Sequence, residues 1–226
     1  MKSLIFICFF ISISALHVYA QSPGGVSTNL RWWLKANAGV LNPSLAAAAD
    51  GESVRQWNDQ STIANNASQT TGANQPVFRS NIINGNPVLR FSSNQFVDAA
   101  SSPGITNTNS FYFFLVFKNS SFTAGDTGDG SGTYVIDRTA TNNPLTSFKI
   151  VNTDKYHFQK RNDAGGVTGP ISTPSPTTTS FIIADYFSNT NTALGLGING
   201  GAAITSGDDN GNLNADPIRV GRHTST

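Results

Sequence analysis

The chain is a succession of short apolar runs broken by turn residues, and few of those runs have a helical period. Residues 30–35 (Leu-Arg-Trp-Trp-Leu-Lys) alternate, with Leu30, Trp32 and Leu34 on one face and Arg31, Trp33 and Lys35 on the other. Alternation of this kind predicts a half-buried strand. Val54 to Trp57 reads the same way after an Asp50-Gly51 turn. Further strands are predicted at 76–78, 82–83, 88–91, 95–97, 134–137, 147–151, 156–160 and 218–221. Asn199-Gly200-Gly201 is a hairpin signal joining 193–198 to 202–205. Residues 111–117 (Phe-Tyr-Phe-Phe-Leu-Val-Phe) and 180–186 are apolar on both faces, which predicts strands in the middle of the structure. The only helix-friendly patch, residues 44–49, is short enough to be one turn of a loop.

Many short strands at roughly ten-residue spacing predict an all-β sandwich or barrel. No fixed repeat suggests a propeller or solenoid. The Gly-rich stretch 123–132 and the Pro/Thr-rich stretch 165–178 read as surface loops rather than linkers. One domain over residues 21–226 is therefore expected.

The N-terminus changes the picture. Lys2 precedes an apolar stretch from Leu4 to about Leu16, which ends at Val18-Tyr19-Ala20. This is the layout of a secretory signal peptide, residues 1–20, cleaved after Ala20. A secreted or cell-surface location follows. The stretch is short for a membrane span, and no second one follows. The single cysteine, Cys8, lies inside this signal, so the processed chain has no disulfide and no thiolate metal site. The formal charge of +1 at pH 7 vanishes with Lys2, and no basic stripe argues for nucleic acid. Asn, Thr, Ser and Gly dominate the polar positions, as suits an extracellular β protein.

Several stretches in order resemble the concanavalin A-like lectin/glucanase superfamily, in its laminin-G-like branch found in secreted Bacteroidetes-type surface proteins. They are Pro23-Gly24-Gly25-Val26-Ser27 with residues 30–39, and Asp50-Gly51 with Trp57-Asn58-Asp59-Gln60-Ser61. Pro87-Val88-Leu89-Arg90-Phe91 with Gln95-Phe96, then residues 110–118, continue the likeness. Asn199-Gly200 and Ile218-Arg219-Val220-Gly221-Arg222 close it. The resemblance implies a two-sheet antiparallel jelly-roll sandwich. It also implies one more strand and a short helix after the Gly-Arg motif, where this chain reaches Thr226. The sandwich is therefore expected to lack its last strand and to leave an unpaired edge.

The chemistry-bearing residues are few. Sandwich glucanases of that superfamily carry two Glu and an Asp on alternate positions of one strand, so that all face the scissile bond. Glu52 is the only Glu, beside a turn Gly, and no two Asp alternate on a predicted strand. No catalytic residue is assigned. His157, between Tyr156 and Phe158, reads as a structural histidine. Exposed aromatic rings stack on the apolar faces of sugars, while amides and carboxylates take the hydroxyls. Trp33 and Trp57, with Asp59 beside them, are the ligand-binding candidates. Trp32 is assigned to the core with Leu30 and Leu34. The alternative is that all three Trp serve packing alone. Asp208, Asn210, Asn212 and Asp216 offer oxygens at a spacing that could hold calcium, and Asp126 and Asp129 form a weaker set. Asx-rich turns are the plain alternative for both.

These features favour a binding or adhesion module for an extracellular glycan, polysaccharide or other surface polymer. A structural spacer with no ligand site is the second reading, and a glycoside hydrolase remnant the third.

Overall fold

The computed structural model describes residues 22–92, 94–104, 110–121, 133–138, 146–151, 155–161, 167–169, 175–189, 192–207 and 216–222. The proposed signal, the calcium-loop candidates Asp126, Asp129, Asp208, Asn210 and Asn212, and His223 lie outside the described residues.

The described chain is almost wholly β. In order, the strands are β1 (Val40–Leu41), β2 (Gln56–Trp57), β3 (Ala67–Ser68), β4 (Val77–Ile83), β5 (Asn86–Arg90), β6 (Val97–Ala99), β7 (Phe111–Phe117) and β8 (Thr133–Arg138). They continue with β9 (Thr146–Val151), β10 (Lys155–Arg161), β11 (Val167–Thr168), β12 (Ile182–Asn189), β13 (Ala193–Ile198), β14 (Ile204–Gly207) and β15 (Ile218–Val220). Two short 3-10 turns, Pro23–Gly25 and Gly72–Asn74, are the only helical pieces among them. No helix among the described residues is long and apolar enough to cross a membrane.

Nine strands form one sheet in the order β1-β2-β3-β6-β15-β8-β9-β10-β11, and four form a second in the order β14-β13-β12-β7. The β4–β5 hairpin stands beside them. It turns at Asn84 and Gly85, both with positive φ, as a tight two-residue turn requires. The strand pairings among the described residues are all antiparallel, for example β12 with β7 and β9 with β10.

The two sheets face each other across one apolar core. Phe148, Ile150, Tyr156 and Phe158 from the larger sheet meet Ile182, Ala184, Tyr186, Leu194, Leu196 and Ile198 from the smaller. The Tyr186 ring sits 4.4 Å from Phe158 and stacks on Phe148 at 5.8 Å. Burial pushes the Tyr186 hydroxyl well above its ordinary range. Offset and tilted ring contacts of this type add to the area term that drives the packing.

The structure departs from the sequence reading at several short strands, among them β11 inside the stretch 165–178 read as a loop, and at two longer segments. Residues 30–35 are not a strand: only Leu34 and Lys35 make isolated bridges, to Asp59 and Ala38. Asp59 and Gln60 satisfy the Trp33 backbone instead: its N–H donates to Asp59 Oδ1 at 2.8 Å and its carbonyl accepts the Gln60 N–H at 2.8 Å. Residues 111–117 form a strand, but not a middle one. Among the described residues β7 is the last strand of the smaller sheet, and only its inward row (Phe111, Phe113, Leu115, Phe117) packs on the core. Its other row, Tyr112, Phe114 and Val116, is exposed. The 180–186 segment does sit centrally, as β12 between β13 and β7.

Candidate functional site

The ligand candidates Trp33, Trp57 and Asp59 come together, but as the organiser of a loop corner. Asp59 is buried, and each carboxylate oxygen accepts two hydrogen bonds. Oδ1 takes the N–H groups of Trp33 (2.8 Å) and Ser61 (2.9 Å). Oδ2 takes the Ser61 hydroxyl (2.7 Å) and the Asn65 N–H (2.9 Å). The Trp57 indole donates to the Lys35 carbonyl at 2.8 Å, and the Lys35 ammonium lies 4.8 Å from the Trp33 ring centre. Both rings are half-buried. Trp32 packs against the core and donates to the Asn65 carbonyl at 2.8 Å. An Asp whose oxygens are filled this way has little capacity left for a sugar hydroxyl.

Glu52 has a similar local task. Its Oε2 accepts the Ala49 N–H (2.7 Å) and the Asn42 amide (3.2 Å). The Ala49 bond, then the Asn42 bond, hold its carboxyl below the usual range. Asp216 is the one described member of the calcium-loop candidates. Its carbonyl accepts from Arg138 Nη2 at 3.1 Å. Among the described residues no group of three metal-ligating side chains is assembled.

The second face of the larger sheet carries a polar layer that the sequence reading did not assemble. His157 pairs directly with Lys149, and Gln159 with Ser147, all four on the face away from Phe148 and Phe158. Each is at least nine-tenths buried. Lys149 Nζ donates to the Tyr134 hydroxyl at 3.2 Å and lies 5.2 Å from that ring's centre. Burial first, then the Lys149 charge, push His157 down to about 4, against a hydrogen bond to the Gly169 backbone. His157 is therefore neutral at pH 7 and structural in character. The alternation in 155–160 (Lys-Tyr-His-Phe-Gln-Lys) was the signal for this layer.

The outer face of the smaller sheet is the most ligand-like surface in the described chain. Tyr112, Phe114 and Val116 of β7 are 59, 73 and 65 % exposed, and Ile183 of β12 is 53 % exposed. Register places Phe114 opposite Asp185, Tyr112 opposite Phe187 and Val116 opposite Ile183. The Tyr112 and Phe187 rings lie 5.3 Å apart, tilted by 32°. On the next strand, Gly195 pairs with Phe187 and Gly197 with Asp185. A Cβ on Gly195 would stand 2.2 Å from the Phe187 ring, and one on Gly197 would stand 2.5 Å from the Asp185 carboxylate. The two glycines thus let Phe187 and Asp185 lie flat on the sheet. Tyr112 and Phe114 are left exposed beside a carboxylate. Contiguous exposed apolar surface of this kind, with polar groups at its margin, marks interaction sites.

No family model matches this chain, and no curated protein matches it. Among solved structures it is similar to the binding domain of Paraclostridial Mosquitocidal Protein 1, at TM-score 0.53 and 12% sequence identity. The match covers 73% of this chain and 41% of that one, so this chain spans less than half of the structure it resembles. At that identity the likeness concerns the fold alone, an all-β architecture also used by a binding domain.

Proposed function

We propose that the chain is an exported binding or adhesion module whose ligand is a polysaccharide or other extracellular polymer. The observation that carries this reading is the outer face of the smaller sheet, where Tyr112 and Phe114 stand exposed next to Asp185 and Phe187. Aromatic rings held on a flat sheet offer stacking area at little entropic cost, and a neighbouring carboxylate accepts hydroxyl protons. Three of the described carboxylates are occupied within the fold. Glu52 ties a loop, Asp59 is filled by four donors, and Asp98 is clamped by Arg219. These occupations support a binding role over the hydrolase reading.

The test is electrophoresis through gels containing soluble β-glucan, xylan, mannan or pectin. Retardation is expected in at least one polymer and is lost in Tyr112→Ser/Phe114→Ser. Trp33→Ala, at the loop corner, is expected to migrate like the unaltered protein. Equal migration of the unaltered and doubly substituted proteins in every gel overturns the platform. That result favours the spacer reading.

A further inference from the structure

Asp185 is held differently from Glu52, Asp59 and Asp98. Those three carboxylates accept hydrogen bonds from donors of the fold, whereas among the described residues nothing donates to Asp185. The four strands of the smaller sheet contain no Lys, no Arg and no second acid. Lys118 follows the end of β7, about 13 Å along the chain from Phe114. The Asp185 side chain is half-buried and leans over Gly197, whose missing side chain leaves it room. Phe114 stands directly opposite on β7, Tyr112 is opposite Phe187, and Phe187 follows Asp185 by two residues on the same face of β12. One uncompensated negative charge is therefore bordered by three aromatic side chains.

Rings and a carboxylate attract the same kind of group. The face of an aromatic ring is negative, so a cation placed over it gains from the ring as well as from the carboxylate. Apolar neighbours keep water off such a pair and strengthen its attraction. The fold uses this combination once internally, where the Arg219 guanidinium lies 3.8 Å from the Phe96 ring centre while bonding Asp98. At Asp185 the anion and the rings are in place, and the cation is left to a ligand.

We propose that this place takes the ammonium group of an amino sugar, so that the polymer the platform prefers is a cationic glycan of unacetylated amino-sugar units. The proposal rests on the platform reading and adds the ligand's charge to it. One such unit carries an apolar ring face and an ammonium on the same rigid frame. It can stack on Tyr112 or Phe114 and reach Asp185 without ordering a long chain. A lysine side chain on the same open face loses its rotamer freedom to do so. Acidic polymers are repelled by the carboxylate, and neutral ones gain from the rings alone.

Calorimetric titration of the full chain with short soluble oligomers of glucosamine, N-acetylglucosamine and glucose tests this, with oligolysine as a fourth ligand. The glucosamine oligomer is expected to bind about 10-fold tighter than the other two sugars. Asp185→Asn keeps the shape and breaks no described hydrogen bond, and is expected to erase that preference. Asp50→Asn removes the same charge from a loop and is expected to retain it. Phe114→Leu keeps apolar area without the ring face and is expected to weaken the glucosamine oligomer about 3–5-fold. Equal binding of the three sugars, binding of none, or a preference that survives Asp185→Asn overturns the ammonium site. Oligolysine bound as tightly, and equally dependent on Asp185, overturns the amino sugar in favour of a basic protein segment. Retardation by polymer gels, lost in Tyr112→Ser/Phe114→Ser, remains the test of the platform itself, so the two fail separately.

Discussion

Arg219 grips Asp98 with two parallel hydrogen bonds, Nε to Oδ1 at 2.7 Å and Nη2 to Oδ2 at 2.8 Å, across directly paired positions of β15 and β6. Its guanidinium also lies 3.8 Å from the centre of the Phe96 ring. One side chain therefore fastens β15 to the N-terminal half of the sheet through a planar fork that only arginine offers. Beside it, Gly221 has φ +108 and a Cβ there would stand 2.4 Å from Phe91, so the chain must leave β15 through glycine.

Arg219→Ala is expected to destabilise the fold by on the order of 2–3 kcal/mol, because it leaves the Asp98 carboxylate without its charged partner. For a chain of this length that lowers the thermal midpoint by about 5–10 °C. Arg219→Lys keeps the charge but loses the fork and the flat ring contact, and is expected to recover less than half. Calorimetry of the three proteins checks the order, and a lysine variant equal to the original would show that charge alone is sufficient.

The strands with clean alternation or long apolar runs were legible in the sequence: β7, β9, β10, β12 and β13 cover the stretches that pattern assigned to strands, although β7 does not take the central position expected of it. The two-residue strands β1, β3 and β11 were not, since two residues carry no period. The 30–35 run misled for a different reason. Its alternation is real, but Asp59 and Gln60 rather than a neighbouring strand satisfy the Trp33 backbone. The candidate site was hardest to read. A run apolar at every position gives no sign of which face is left open, so Tyr112 and Phe114 read as core. The available hint lay in residues 193–198 (Ala-Leu-Gly-Leu-Gly-Ile), where glycine at every second position marks the face on which a neighbouring side chain lies down.

Asp59→Asn tests the loop corner. The amide retains one accepting oxygen and presents an NH2 group to donors that Asp59 now accepts. A loss of on the order of 2 kcal/mol in urea unfolding is expected. The fluorescence of the neighbouring Trp32, Trp33 and Trp57 should shift to the red as the corner loosens. A variant of unchanged stability that no longer binds polymer would instead return Asp59 to the ligand site.

His157 makes the fold sensitive to acid. Its folded pKa of about 4 lies below the ordinary 6.5, so between these values the unfolded chain binds the extra proton. The stability it contributes is fully present above about pH 6.5 and is lost as pH falls through 4. On the order of 3 kcal/mol would go over that window. Urea midpoints measured from pH 7 to pH 4 should fall steadily in the original protein. They should fall much less in His157→Asn, which has no proton to take up, and parallel curves for the two would assign the acid sensitivity to other groups.

Gly195→Ala separates platform geometry from fold stability. The added methyl cannot share space with the Phe187 ring at 2.2 Å, but that ring end is free to swing by rotation about χ1. The core side of β13, Leu194 and Leu196, is untouched. The expected stability change is therefore small, about 1 kcal/mol or less. The Tyr112–Phe187 ring pair is lost, and with it the flat floor of the platform. Gly207→Ala provides the control, since a Cβ there meets nothing within 4 Å. Polymer retardation should drop several-fold in Gly195→Ala and stay unchanged in Gly207→Ala, with near-UV circular dichroism reporting the moved ring. Undiminished retardation together with a changed near-UV spectrum would show that the ligand does not rest on this floor.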